Sequence, residues 1–359
     1  MYPHSDAART RIQQAGIADG EARSLADLRA IRPVGLDEIG AGDDYVLRPT
    51  RVGLIRSGSP YLRARTFWAS TWGRWPAFLR AIEPQYRPVH FFGADNAPVG
   101  ASAADLVRLA GLGAEWMRAL GMTRADVVGL VGGASGGVEA WQLSGGTRRA
   151  GLSLAVYTDP SAAARHDVTV LAGTEEAVMR ALADGTWPAL RTVLVLEHDA
   201  DAVEAKLGGA VAVRRAFSVP GTRSVWYECA GGPEYGWHTT PTAEFIEIDD
   251  HDEIVWTGLG WAGTVFLRLR TDVRAERIDV APCAACGHVG ERVFIAAGRP
   301  SLARWLQEHP RVADWRLTSD GADVLPARAG ANAGLVKEAK QAFPGHRVTV
   351  KAKRSWSNS

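Results

Sequence analysis

From residue 126 to residue 207, short apolar runs alternate with helical stretches, and no other feature narrows the fold so far. Strands are expected over 126–131, 152–157, 168–171 and 190–196. Helices are expected between them, over 141–150, 175–183 and 200–207. Apolar strands separated by helices imply an α/β fold, a parallel sheet covered on both faces. After residue 222 the pattern changes to hairpin-like strands over 243–248, 253–257 and 264–270, which predicts an antiparallel lobe.

The flanking regions read differently. Residues 5–40 suggest short helices, with Ser24 as an N-cap before Leu25. Residues 41–98 are rich in Arg, Pro and aromatics and show no periodic element. Ser102 caps a helix over 103–120, with Leu106, Leu109, Gly113, Trp116, Met117 and Leu120 at helical spacing. Gly121 closes it. Near the C-terminus a helix over 301–309, a strand over 315–318, a helix over 333–343 and a strand over 347–351 suggest a small α+β module. Two domains are therefore expected, 1–296 and 297–359, with a linker near 296–299.

The chain has only three cysteines, Cys229, Cys283 and Cys286, and the last two form a C-x-x-C. His238 lies nine residues after Cys229. Three thiolates and one imidazole make a closed tetrahedral shell, the pattern of structural rather than catalytic zinc. His288, two residues after Cys286, is an alternative fourth ligand, but so short a loop is strained for that role. Few cysteines at metal spacing suit a reducing cytoplasm better than a disulfide scaffold. The N-terminus has no basic segment followed by an apolar run, and no apolar stretch spans a bilayer, so a cytoplasmic location is expected. A net charge of +1 gives no global pull toward nucleic acid or an anionic membrane, and neither is expected as a partner.

Several segments resemble, in order along the chain, the phenylacetate–CoA ligase branch of the adenylate-forming enzymes. Gln14-Ala15-Gly16-Ile17 and Ser24-Leu25-Ala26-Asp27-Leu28 resemble its "AG…SLEDL" helices. Val99-Gly100-Ala101-Ser102 resembles the stretch after its phosphate loop, and Val170-Leu171-Ala172-Gly173-Thr174 its "VLCGTPS" strand end. Glu228-Cys229 and Gly236-Trp237-His238 resemble "EC…GLH", and Cys283-Ala284-Ala285-Cys286-Gly287 resembles "CPCG". Arg268-Leu269-Arg270-Thr271-Asp272 resembles "RYRTGD" with one glycine missing. The resemblance implies a large adenylate-forming-type domain with a zinc-stapled antiparallel lobe, and a C-terminal module acting as a mobile lid. It implies ATP, AMP and magnesium as ligands, a small, possibly aromatic carboxylic acid or acyl thioester as substrate, and CoA or a carrier protein as acceptor. A homodimer is compatible with it.

By this resemblance Asp272, with Thr271 and Arg270, holds the nucleotide ribose, since a carboxylate accepts two hydrogen bonds from a vicinal diol. The competing reading is a strand-end aspartate paired with Arg268 or Arg270. Gly132, Gly133, Ser135 and Gly136 lie between a strand and a helix, and the resemblance implies that they line the acyl pocket, as this position does in the related ligases. Close packing of helix on strand explains the same small residues. Gly133-Ala134-Ser135-Gly136-Gly137 has the spacing of a G-x-S-x-G nucleophile elbow, but a hydrolase also needs a histidine and an acid beside the serine, which the sequence does not place.

Three departures bear on ATP chemistry. The expected phosphate loop falls on residues 86–96, which hold one glycine and several bulky rings. Residues 56–60, Arg-Ser-Gly-Ser-Pro, look loop-like but lie too early and read as a turn or helix cap. The magnesium-binding acid should fall near 217–221, where there is none. Glu228 is the substitute candidate, or else a loop residue facing solvent. The lid lysine matches Lys353 only weakly, in a basic tail directly after the last strand. The hinge is shortened to Gly298-Arg299. The first reading is a divergent adenylate-forming ligase, but with loop, metal acid and lysine all degraded, physical reasoning favours the alternatives over it. The alternatives are a non-catalytic or repurposed acyl- or nucleotide-binding homologue, and ATP-independent condensation of a preactivated acyl group.

Overall fold

The computed structural model describes residues 5–17, 24–39, 45–57, 59–92, 99–132, 137–159, 167–184, 186–219, 221–295, 309, 311–318, 321–326, 332–342 and 347–350. Its centre is one mixed sheet of eleven strands. The parallel half contains β3 (Val127–Val131), β4 (Ser153–Tyr157), β5 (Val170–Gly173), β6 (Thr192–Val195) and β7 (Ala212–Ser218). These lie in the order β4-β3-β5-β6-β7. The antiparallel half continues from β7 through β8 (Val225–Tyr227), β9 (Trp237–His238), β13 (Arg292–Ile295), β12 (Leu269–Asp279), β11 (Glu253–Gly258) and β10 (Glu244–Ile248). β7 is the seam, parallel to β6 on one side and antiparallel to β8 on the other. The hairpin-like strands therefore extend the α/β sheet edge to edge.

The alternation seen in the sequence accounts for the centre of the parallel half, because β3, β5 and β6 are buried runs of mostly Val, Leu, Ala and Gly. Helices α7 (Val138–Ala150), α8 (Glu175–Asp184) and α9 (Asp201–Leu207) connect them. Helix α6 (Ala103–Ala119) begins at a capping box, in which Ser102 and Asp105 exchange bonds with each other's backbone N–H groups. It packs on α7 at a point where only glycine fits. A Cβ at Gly113 would lie 2.0 Å from the Gln142 carbonyl oxygen, and one at Gly146 would lie 2.4 Å from the Gly113 backbone. Before α6, a small hairpin pairs β1 (His90–Phe92) with β2 (Val99–Ala101). Farther along, β14 (Val312–Thr318), β15 (Gly321–Pro326) and β16 (Arg347–Val350) form a separate three-stranded sheet beside helix α10 (Asn332–Ala342).

Two expectations are corrected. Residues 41–98 contain three helices, α3 (Arg51–Ser57), α4 (Pro60–Thr71) and α5 (Trp75–Ile82), following α1 (Asp6–Gln14) and α2 (Leu25–Ala30). α5 turns a clear apolar stripe inward through Phe78 and Ile82, but at eight residues it is too short to stand out in the sequence. The strand expected over 264–270 starts instead at Leu269 and runs to Asp279. Arg268 stops it from starting earlier, because its backbone is left-handed (φ 53°) and its guanidinium caps the carbonyls of Arg29 and Ile31. The expected linker at 296–299 and the helix over 301–308 lie outside the described residues.

Candidate functional site

The antiparallel half brings Cys229, His238, Cys283 and Cys286 together, with their ligand atoms all within 4.8 Å of one another. They come from three segments at the ends of neighbouring strands. Cys229 follows β8, and His238 ends β9, where it pairs with Arg292 of β13. Cys283 and Cys286 sit in the loop joining β12 to β13. That loop is a tight knuckle. The Gly287 amide donates to the Cys283 carbonyl at 2.8 Å and the Cys283 amide to the His288 carbonyl at 3.0 Å, with Gly287 left-handed at φ 71°. Only glycine adopts that conformation freely, which is why C-x-x-C-G is a better signal than C-x-x-C alone.

The donor set fits a tetrahedral cation. Zinc–sulfur bonds of about 2.3 Å put two thiolates of one shell about 3.8 Å apart, inside the spread found here. His238 Nε2 lies 3.3 Å from the Cys286 Sγ, while the His288 ring stands edge-on to it at 5.1 Å. His238, not His288, is therefore the imidazole in the cluster. Burial pushes the Cys286 thiol up to about 12 and raises Cys229. For Cys283 burial acts in the same direction, but the amides of Cys286 and Ala285 outweigh it and lower the thiol. Burial, then the neighbouring His288, pushes His238 down to about 4, so its imidazole is neutral and able to ligate. A cation bound here displaces thiol protons and ties three segments to one point.

The second group of residues surrounds Asp272. β11 and β12 fall out of register between Glu253 and Val255, so Thr271, Asp272 and Val273 form a bulge. Thr271 is buried and donates to the Ile254 carbonyl at 2.8 Å. Asp272 stands at the exposed tip in a left-handed conformation (φ 57°), its amide donating to Glu253 at 2.9 Å. This bend does with a left-handed aspartate what an extra glycine would otherwise permit. Arg270 pairs with Glu38 at 2.9 Å, and Arg268 pairs with Glu247 at 3.2 Å.

Glu228 does not face solvent. It is buried, and its two oxygens take bonds from the Arg215 side chain and amide across the β7–β8 pair. A carboxylate that the sequence did not single out reaches the segment expected to hold a magnesium-binding acid. Glu139, in the first turn of α7, accepts from the Ser218 amide at 2.8 Å and from its hydroxyl at 2.5 Å. Ser218 ends β7, and Gly132 follows β3, so both lie at the carboxyl ends of parallel strands, where α/β sheets place ligands. No spacing rule links residue 139 to 218; only the helix crossing joins them. Gly133, Ser135, Gly136, Lys353 and residues 93–98 lie outside the described residues. Ser59 caps α4, with Pro60 as its first residue, in keeping with the turn-and-cap reading of 56–60.

No protein-family model matches the chain, and no curated protein matches it either. Among solved structures it is similar to 2-hydroxyisobutyryl-CoA ligase in an open conformation, in complex with 2-HIB-AMP and CoA. The two are 15% identical with a TM-score of 0.60, over 100% of this chain and 86% of that one. The same ligase in the thioesterification state, again with 2-HIB-AMP and CoA, gives 14% identity and a TM-score of 0.57, over 100% and 84%. No helix among the described residues is long and apolar enough to cross a membrane. The described residues share the mixed α/β fold of that ligase, with a Cys/His cluster able to hold a metal ion built into the antiparallel half.

Proposed function

We propose that the chain is a divergent adenylate-forming ligase of the phenylacetate–CoA ligase branch, acting on a small carboxylic acid. The observation that carries this reading is the fold likeness along the whole chain to a ligase solved with an acyl adenylate and CoA. In the reaction, a substrate carboxylate attacks the α-phosphorus of ATP and pyrophosphate leaves. A thiol, of CoA or of a carrier protein, then attacks the acyl carbonyl and AMP leaves. Asp272, raised on its bulge, accepts the ribose hydroxyls, with Arg270 and Thr271 fixing the turn. Gly132 and residues 133–136 leave room for the acyl group. Glu139 supplies the acid otherwise missing near 217–221. Magnesium, when bound there with ATP, would neutralise phosphate charge. Zinc in the Cys/His cluster is structural, since all four ligand positions are filled by protein.

Carboxylate-dependent exchange of labelled pyrophosphate into ATP tests the reading, run beside calorimetric titration with ATP and AMP. Exchange above background is expected. Asp272→Ala should weaken AMP binding on the order of tenfold to a hundredfold, the worth of hydrogen bonds to a charged acceptor. Absence of any nucleotide binding would sink the proposal. AMP or acyl-CoA binding without exchange would point instead to the repurposed, ATP-independent homologue.

A further inference from the structure

We propose that helix α4 and its neighbours form a docking surface for an anionic lipid bilayer. Helix α4 has two apolar faces. One packs through Leu62 and Ala69 onto the cluster of Leu54, Phe78 and Ile82. The other carries Tyr61, Arg65, Trp68 and Trp72, the last as the helix cap, at spacings of four, three and four residues. That spacing puts them in one stripe. The stripe faces water: Tyr61 is 69% exposed, Trp68 57% and Trp72 65%. Phe67 is exposed beside it and meets Trp68 at 6.3 Å, while Trp68 meets Trp72 at 5.8 Å. On α3, Val52 and Ile55 are exposed as well. Helices on the surface of a globular protein normally turn a polar face outward. A clustered group of bare aromatic and aliphatic side chains marks an interaction site.

Charge identifies the occupant. Between Tyr45 and Phe92 the sequence holds eight arginines, no lysine and one acid, Glu83. The whole chain carries +1, so the remainder is acidic overall. The sequence-wide balance averages away a strong local asymmetry. Arg51, Arg65, Arg74, Arg80 and Arg87 are all exposed. Arg65 lies over the Tyr61 ring at 5.4 Å, so cation and aromatic ring share one surface. Tryptophan and tyrosine favour the lipid headgroup level, and arginine reaches phosphates while its stem lies on apolar surface. An anionic bilayer attracts this patch and repels the acidic remainder, which fixes the orientation of docking. A second copy of the chain would set arginines against arginines. A nucleic-acid strand stacks its bases on ring faces, whereas Val52 and Ile55 extend this patch with aliphatic side chains that offer none.

The test is co-sedimentation of the full chain with phosphatidylcholine vesicles, with and without phosphatidylglycerol. Binding is expected only with phosphatidylglycerol, falling with salt and accompanied by a blue shift of tryptophan emission. The pair Trp68→Ser and Trp72→Ser should reduce partitioning on the order of tenfold or more, since two large apolar contacts are lost. The pair Arg65→Gln and Arg74→Gln should reduce it about fivefold per arginine. Thermal melts of both variants should match the parent, because these side chains lie at the surface. Equal sedimentation with neutral and anionic vesicles would overturn the proposal, as would wild-type binding by the tryptophan variant. So would a lipid-independent dimer lost in that variant, or binding of a single-stranded oligonucleotide without vesicle binding.

Discussion

The two halves of the eleven-stranded sheet are held together by different physics. The parallel half is apolar inside: Val170, Leu171, Val193 and Leu194 are fully buried and packed under helices. Its few buried polar side chains include Asp126, Gln142 and Thr192. The antiparallel half buries Arg223, Glu228, His238, Glu244, Glu247, Arg268 and Arg292. Glu244 accepts from the indoles of both Trp226 and Trp256 and from the Thr240 amide. Burial alone raises the Glu244 carboxyl, and those donors oppose it. Apolar packing is non-directional and tolerates substitutions of equal volume, whereas a buried charge that loses its partner has nothing to replace it. The antiparallel half should therefore be the brittle one.

The largest effect should come from the Cys/His cluster. A structural zinc contributes on the order of 10 kcal/mol, comparable to the whole stability of a domain. Metal analysis of the purified chain should find zinc, and Cys283→Ser or chelation should collapse the thermal transition. A zinc-free chain that melts normally would break this side of the comparison.

Next is the ion pair of Arg223 and Asp105, 3.2 Å apart and buried. Burial pushes the Arg223 guanidinium down to about 10, opposed by Asp105, so it stays charged at neutral pH. It also bonds the carbonyls of Gly100 and Thr264. Arg223→Met should cost about 3–5 kcal/mol in denaturant unfolding, as for one partner removed from a buried pair. Leu171→Met, as deeply buried in the parallel half, should cost less than about 1.5 kcal/mol. Equal costs would erase the distinction between the halves.

Asp126 is the parallel half's own exception. Burial acts to raise its carboxyl, but bonds from Arg191, Thr123 and Thr169 outweigh that and hold it well below the usual carboxylate range. Its folded value lies below the unfolded one of about 3.9, so its stabilisation is full above that pH and lost as pH falls further. Asp126→Asn should cost about 2 kcal/mol at neutral pH, as for hydrogen bonds to a charged group. Urea titrations should show the gap to the parent narrowing below about pH 4. The smallest effect should be Glu38→Gln, which breaks exposed pairs with Arg32 and Arg270. Such pairs are worth about 0–1 kcal/mol, and the loss should shrink further in salt.

Legibility followed the same physics. The strands and helices of the parallel half were readable because burial on both faces forces continuous apolar runs. β7 was missed, since Arg214 and Arg215 interrupt its run; Arg215 is neutralised by Glu228 from the next strand, which no local pattern reveals. Helices α3 to α5 were missed because they are short and α4 leaves its aromatic residues, Tyr61, Phe67 and Trp68, exposed. The Cys/His set was readable because thiols at metal spacing have few other uses. Glu139 was not, because its partner, Ser218, is 79 residues away.

The sequence by itself determined the α/β alternation, the change to antiparallel hairpins after residue 222, and the C-x-x-C-G of the Cys/His cluster. Each depends on periodicity or on short spacing, which the chain encodes locally. Only the tertiary structure decided that the two halves form one sheet through β7, that Asp272 rides a bulge, and that Glu139 meets Ser218. It also decided that the stripe of Tyr61, Trp68 and Trp72 faces outward. Those outcomes depend on which distant segments pack together, and apolar spacing along a helix does not say which of its faces will find a partner.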